Sequence, residues 1–186
     1  MKRLLVVFLL VFLLVGCDSS KSSVKPGMIL RDKLLSSNGC KFTAAITADY
    51  GDVFQTFSLE CTADQAGNID FTVLEPDVIY GITGEISAEG GRLSFDDHAL
   101  AFSMLADGQI APVSSPWILV KTLRSGYIRA CEKNKDGFHL IIDDSYEEDA
   151  LQLDVYLSKD HIPTQADILW RGRRILSLTV KSFAFL

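Results

Sequence analysis

Residues 39–61 read GCKFTAAITADYGDVFQTFSLEC, and this alternation constrains the fold more than any other stretch of the chain. With a turn at Tyr50-Gly51, one arm places Cys40, Phe42, Ala44, Ile46 and Ala48 on a single face. The other arm adds Val53, Phe57, Leu59 and Cys61 to that face, because strand side chains alternate with period two. Gln55 is its one polar exception, and Ala45 and Phe54 are the apolar exceptions on the opposite face. Folded about this turn, Cys40 meets Cys61 at the open end. The expectation is an antiparallel hairpin cross-linked by a Cys40–Cys61 disulfide, with two buried free thiols as the alternative. A lone hairpin is marginal in water, so further elements must cover its apolar face.

The rest of the chain supplies them. Ile69, Phe71 and Val73 alternate as a third strand, and Glu75-Pro76-Asp77 interrupts the pattern because proline cannot donate to a central ladder. Gly81 and Gly84 allow a bent strand within Val78 to Ile86. Leu93 and Phe95 restart the alternation, and Ala99 to Leu105 reads as a buried strand or one helical turn. Residues 26–37 suggest a short helix with Met28, Ile29, Leu34 and Leu35 on its apolar side. Ser115 reads as the cap of a second helix, with Pro116 at its first position and Gly126 at its close. Trp117, Leu119, Val120 and Leu123 make that helix apolar nearly all round, which suits burial against a concave sheet. A meander follows through 127–131, 138–142, 151–157, 166–170 and 175–185. Its last strand presents Leu176, Leu178, Val180, Ser182 and Ala184 as the inward set. Nine or ten strands, neighbours in sequence order, and two helices give a mainly β (α+β) class. Such a sheet must curl as it grows, so it should be large, curved and antiparallel around short helices.

The N-terminus bears on the compartment. Lys2 and Arg3 precede 12 apolar residues, Leu4 to Val15, too few to span a bilayer and of the length of a secretory signal core. Leu14-Val15-Gly16-Cys17 resembles the lipobox of bacterial lipoproteins. The resemblance implies a signal peptide over residues 1–16, a lipidated Cys17, and a polar tether over 17–25. It implies one domain over 26–186, lipid-anchored to the cell membrane and facing the extracytoplasmic side. Without the leader, 16 Lys plus Arg oppose 24 Asp plus Glu, which leaves no electrostatic footprint for nucleic acid. His98, His139 and His161 lack ligand spacing, and neither a nucleophile elbow nor a phosphate loop is present. The expectation is a non-enzyme without metal or cofactor. The acidic run Asp143 to Asp149 reads as a solvated tip, and Arg171, Arg173 and Arg174 as a solvated rim.

The lipobox, the helix before the first hairpin, the break at Glu75-Pro76-Asp77 and the mid-chain helix opened by Ser115-Pro116 resemble, in order, the lipoprotein-carrier superfamily. That likeness implies a half-barrel closed by helices over an apolar cavity that holds acyl chains. The implied cleft is lined by Phe42, Ile46, Phe57, Leu59, Phe71, Trp117, Val120 and Leu123, and its partner is a lipid acyl chain or a lipoprotein. The arginine switch of the carrier chaperone is not carried over, since no arginine lies between Arg31 and Arg92. No loop matching the exposed apolar loop of the receptor member stands out. In a second reading the helices fill the concavity. The chain is then a tethered module meeting an envelope protein through its outer surface, at Trp170 beside the arginine tip or at the acidic tip.

Overall fold

The computed structural model describes residues 23–51, 54–96, 98–103, 105–106 and 109–186. The signal peptide, Cys17, most of the tether and Val53 lie outside them. The described elements are α1 (Lys25–Ser36), β1 (Gly39–Asp49), β2 (Phe54–Asp64), β3 (Ile69–Glu75), β4 (Thr83–Ser87), β5 (Gly90–Phe95), β6 (His98–Phe102), β7 (Leu105–Ala106) and β8 (Gln109–Ile110). They continue through α2 (Ser115–Ser125), β9 (Tyr127–Lys133), β10 (Gly137–Asp143), β11 (Gln152–Ser158), β12 (Pro163–Trp170) and β13 (Arg173–Phe185). Eleven of the described strands form one antiparallel sheet in the order β6-β5-β4-β3-β2-β1-β13-β12-β11-β10-β9, and β7 and β8 make a separate ribbon. The sheet is curved and unclosed, and α1 and α2 lie on its concave side, so the architecture is a half-barrel.

The first hairpin forms, but its register is slid by two residues from the expected one. Ile46 faces Phe57, Ala44 faces Leu59, Phe42 faces Cys61 and Cys40 faces Ala63. A slide of two preserves parity, so the apolar faces stay together. It does separate the cysteines, and the expected Cys40–Cys61 bridge is replaced by free thiols at Cys40, Cys61 and Cys131, all buried. The connection from Asp49 to Phe54 is longer than the tight turn assumed, and this moves Cys61 one pair along the ladder.

Sequence order also fails at one seam. β1 pairs with β13, so the first and last strands lie side by side and join two meanders, β1–β6 and β9–β13. Along this seam Thr43 faces Ser182 while Ala44 faces Val180, leaving Lys181 as an extra residue in a bulge. The bulge reverses the alternation of β13. Leu176 and Leu178 point inward as expected, but beyond the bulge Ser182 and Ala184 are exposed and Phe183 and Phe185 pack against the core. Phe42 and Phe183 stack at 5.8 Å across the seam, worth about 1 kcal/mol beyond the area they bury.

The helices sit where their patterns differ from expectation. α1 buries Pro26, Gly27, Leu30 and Leu34, while Met28 and Leu35 are exposed, so the inward stripe is rotated from the one inferred. α2 buries Trp117, Ile118, Leu119, Val120, Thr122 and Leu123. Ser115 is not its cap. The hydroxyl of Ser115 donates to the Pro112 carbonyl at 2.7 Å, closing the short 3-10 turn that feeds the helix. Of Ala99 to Leu105, expected as a buried strand or one helical turn, residues 99–102 belong instead to the largely exposed edge strand β6, and Leu105 opens β7.

The thiols give two tests. Burial raises the Cys40 thiol to about 11, and burial with the neighbouring Cys40 also raises Cys61. Peptide mapping after maleimide treatment without reductant should find Cys40, Cys61 and Cys131 unmodified in the folded protein and all three modified in urea. A Cys40–Cys61 pair protected from maleimide in urea would show a bridge instead. The stability tied to keeping Cys40 neutral is fully present below the ordinary thiol range and is lost as pH rises towards about 11. Cys40→Ala should flatten that alkaline decline in urea midpoints.

Candidate functional site

The eight residues expected to line a cleft come together on the concave side. Phe42 and Ile46 from β1, Phe57 and Leu59 from β2, Phe71 from β3, and Trp117, Val120 and Leu123 from α2 belong to one buried cluster. All are at least nine-tenths buried, with Phe57 at 8% and Trp117 at 7% exposure as the least covered. α2 packs on β2, β10 and β13, and α1 packs on α2, β1 and β9. The helices therefore rest on the sheet between β2 and its β9 edge rather than standing off it.

Two arginines lock the helices to each other. Arg31 of α1 donates from Nε to the Leu123 carbonyl at 2.8 Å and from Nη2 to the Gly126 carbonyl at 2.6 Å. Arg124 of α2 donates from Nη1 to the Leu34 carbonyl at 3.2 Å and from Nη2 to the Gln65 carbonyl at 2.8 Å. Each helix ends with orphan carbonyls and a partial negative charge, and each receives the other's guanidinium there. Burial lowers the pKa of Arg31, partly offset by Asp32 and Tyr146, though a guanidinium stays charged at neutral pH. Asp64 supports the turn that carries Gln65. Burial pushes its carboxyl up, but hydrogen bonds from Asn68, Gly67 and Ala66 outweigh that and hold it below the usual range.

The apolar concave face continues beyond the helices. Cross-strand pairing carries it from Phe71 to Gly84, Leu93 and Leu100, and from Ile69 to Ile86, Gly91 and Phe102. Here two aromatic rings lie directly on the sheet backbone. The Phe71 ring lies over Gly84, 2.5 Å from where a Cβ would sit, and the Phe102 ring lies over Gly91 at 2.1 Å. Only glycine admits rings this close to the backbone. Leu93 and Phe102 are half-buried, whereas Phe95 and Leu100 are 59% and 66% exposed. A depression of about 750 Å³ lies at one end of this wing beside Asn68, Ile69, Ile86 and Phe102, and one of about 740 Å³ at the other beside Tyr80, Ser94, Phe95 and His98. The turn after β3 adds Val78 and Tyr80, 89% and 62% exposed, so an exposed apolar loop exists where none was read. Leu93 and Phe95 look like ordinary core alternation, and Leu100 and Phe102 lie in an apolar run that reads as buried; only their place at a sheet edge leaves this wing open.

Polar groups elsewhere sit apart from this face. On the convex side Asp154 and Asp167 oppose each other across β11 and β12. Ser177 donates to Asp167 at 2.5 Å, Gln152 donates to Asp154 at 2.9 Å, and His139 Nε2 lies 3.9 Å from Asp154. His139 stacks on Tyr156 and His161 on Phe138, each ring used for packing. Among the described residues no three His, Cys, Asp or Glu side chains are arranged to hold a metal ion. Among them, too, no helix is long and apolar enough to cross a membrane.

No family model matches the sequence, and no curated protein matches it. Solved structures do resemble the chain. An uncharacterised conserved protein of Thermus thermophilus is 12% identical with a TM-score of 0.48, over 86% of each chain. A putative outer membrane lipoprotein-sorting protein domain of Vibrio parahaemolyticus is 10% identical with a TM-score of 0.48, over 87% of this chain and 91% of that one. A LolA superfamily protein of Nitrosomonas europaea is 9% identical with a TM-score of 0.44, over 86% and 93%.

Replacing Arg31 by Met should leave the Leu123 and Gly126 carbonyls without their donor and cost about 2 kcal/mol. Arg31→Lys should recover little, because one ammonium cannot reproduce the fork. Urea unfolding reads both; an unchanged midpoint in Arg31→Met would mean that apolar contact alone seats the helices.

Proposed function

We propose that this protein is a membrane-tethered, extracytoplasmic binding protein that holds an acyl chain or a lipid-modified ligand on its apolar concave face, without catalysis. The observation that carries this reading is the uncovered wing of β4–β6. There Phe95 and Leu100 are exposed on the same face that, a few strands away, forms the core. Soluble chains seldom leave such a surface open without a ligand or partner to cover it. The flat rings over Gly84 and Gly91 make a shallow floor on which a chain of methylenes can lie, each contributing about 0.8 kcal/mol when removed from water. Among the residues first expected to line a cleft, Phe57, Phe71 and Trp117 would border this floor. Phe42, Ile46, Leu59, Val120 and Leu123 would support it from the packed middle. Anchoring is assigned to lipidated Cys17, with residues 17–25 as the tether.

The burial of all eight of those residues favours a second reading, in which the core is filled and the outer surface meets another envelope protein. One experiment separates the two. Protein purified without detergent should carry a stoichiometric adduct in native mass spectrometry that extracts into organic solvent as a lipid. Added oleic acid at about a hundred times its Kd should stabilise the emptied protein by about 2.7 kcal/mol. Leu100→Glu, on an exposed position, should abolish adduct and stabilisation while leaving the fold intact. A bare mass with no stabilisation by oleic acid or lysophospholipid would overturn the acyl-binding reading and favour the interaction module.

A further inference from the structure

The unclosed sheet ends in two edges, β6 and β9, and they differ in chemistry. β9 carries Arg129, Glu132 and Lys133, charges of the kind that discourage further pairing. β6 runs His98, Ala99, Leu100, Ala101, Phe102; it holds no Lys, Arg, Asp or Glu, and all but Phe102 are exposed. The ladder decides which backbone groups lie along its open side. β4 and β5 are joined by a two-residue turn closed by the Ser87–Gly90 pair. β5 therefore gives Gly90, Arg92 and Ser94 to β4, and Gly91, Leu93 and Phe95 to β6. Their partners Phe102, Leu100 and His98 are satisfied within the sheet. The N–H and C=O of Ala99 and Ala101 point the other way, where no described strand meets them.

We propose that the β6 edge pairs with the β6 edge of a second copy of this chain, antiparallel and centred on Leu100, to form a two-fold dimer with one continuous sheet. Only one register uses every open group. With Leu100 opposite the partner's Leu100, Ala99 faces the partner's Ala101 and Ala101 faces the partner's Ala99, so both alanines of both copies exchange their N–H and C=O. A slide of two residues either way sets one alanine of each copy against a residue outside β6. Charge selects the same occupant. The edge offers a charged strand no counter-charge, whereas a second copy brings an equally neutral edge. Antiparallel pairing also sends the two Asp96 turns to opposite ends, so these carboxylates do not meet. Leu93, Phe95 and Leu100 share the concave face, and the two-fold sets both concave faces on one side, so the apolar floor is lengthened rather than covered. Five residues a side make a small contact, below the roughly 1,200 Å² of a standard interface, so the dimer is weak in dilute solution. Copies tethered to one membrane meet at a far higher effective concentration, at which a short edge suffices.

The proposal rests on the tethered reading above for its concentration, but its register fails separately from it. The full chain is reconstituted into phosphatidylcholine vesicles, oxidised with copper phenanthroline and run on a non-reducing gel. The unaltered chain, with Cys40, Cys61 and Cys131 buried, is the blank. Leu100→Cys should cross-link to itself, because residues opposed in this way lie about 4.5 Å apart at Cα, within disulfide reach. Ala99→Cys and Ala101→Cys should each stay monomeric alone and cross-link when mixed, because each faces the other's position. Those two variants leave Leu100 in place, so they read the register even if Leu100→Cys does not fold. Ala101→Pro added to Leu100→Cys should lower the dimer-to-monomer ratio roughly thirtyfold, since two of the four seam hydrogen bonds lose their donor. The fold is kept, because that N–H does not serve the β5 ladder. Equal cross-linking of every variant and mixture, or none in a folded Leu100→Cys chain or in the mixture, overturns the pairing while leaving the tether and acyl binding intact. A chain that does not float with the vesicles overturns the tether instead, and the same cross-links at high protein concentration in solution then decide the pairing.

Discussion

The structure depends on the pairing of the first strand with the last. β1 and β13 form the seam between two meanders that are otherwise local in sequence. Without it neither half could bury its apolar face, since α2 draws on β2 from one meander and on β10 and β13 from the other. The bulge at Lys181 is what lets a long strand serve this seam twice. Before it Leu176 and Leu178 face the core; after it Phe183 and Phe185 do, because one inserted residue exchanges the faces. The extra residue is also employed, as Lys181 lies 3.8 Å from the exposed Glu75 and 3.4 Å from the hydroxyl of the buried Ser58.

The helices answer to a second constraint, the carbonyls at their ends. A short helix buried in a concave sheet cannot leave its last turn to water, and here each helix supplies the arginine that the other needs. The exchange couples the helix pair to the β2–β3 turn through Gln65, so the packed middle of the domain is one mechanical unit. The wing of β4–β6 lies outside that unit. It shares the apolar face but not the helix cover, and that separation puts an uncovered apolar surface beside the packed core rather than inside it.

Reading the residues alone recovered the curved antiparallel sheet, both helices and the grouping of eight apolar side chains. It misjudged the Cys40–Cys61 pair, the Ser115 cap, the inward stripe of α1, the inward set of β13 beyond the bulge, the β1–β13 seam and the burial of Ala99 to Phe102. The errors of pairing and of burial have related origins. Alternation reports which face a residue occupies, but it is unchanged by a slide of two residues, and it is equally satisfied in the middle of a sheet and at its edge. Phe54 illustrates the point from the other side. It stood out in the sequence as an apolar residue on the polar face, and the structure places it 71% exposed at the start of β2, opposite Asp49.

The chain itself determined everything carried by local periodicity and stereochemistry. Period-two runs made strands, an apolar run after Ser115-Pro116 made a buried helix, and Glu75-Pro76 ended a strand because proline lacks a donor. Tertiary structure alone decided which strands became neighbours, where the bulge fell, which arginine capped which helix, and which apolar residues stayed exposed. Those outcomes depend on contacts between residues far apart in sequence, as Cys40 with Phe185 or Arg31 with Gly126. Any antiparallel strand of suitable pattern could have taken the place of β13, so no local signal distinguished it, and only the packing of the whole domain did.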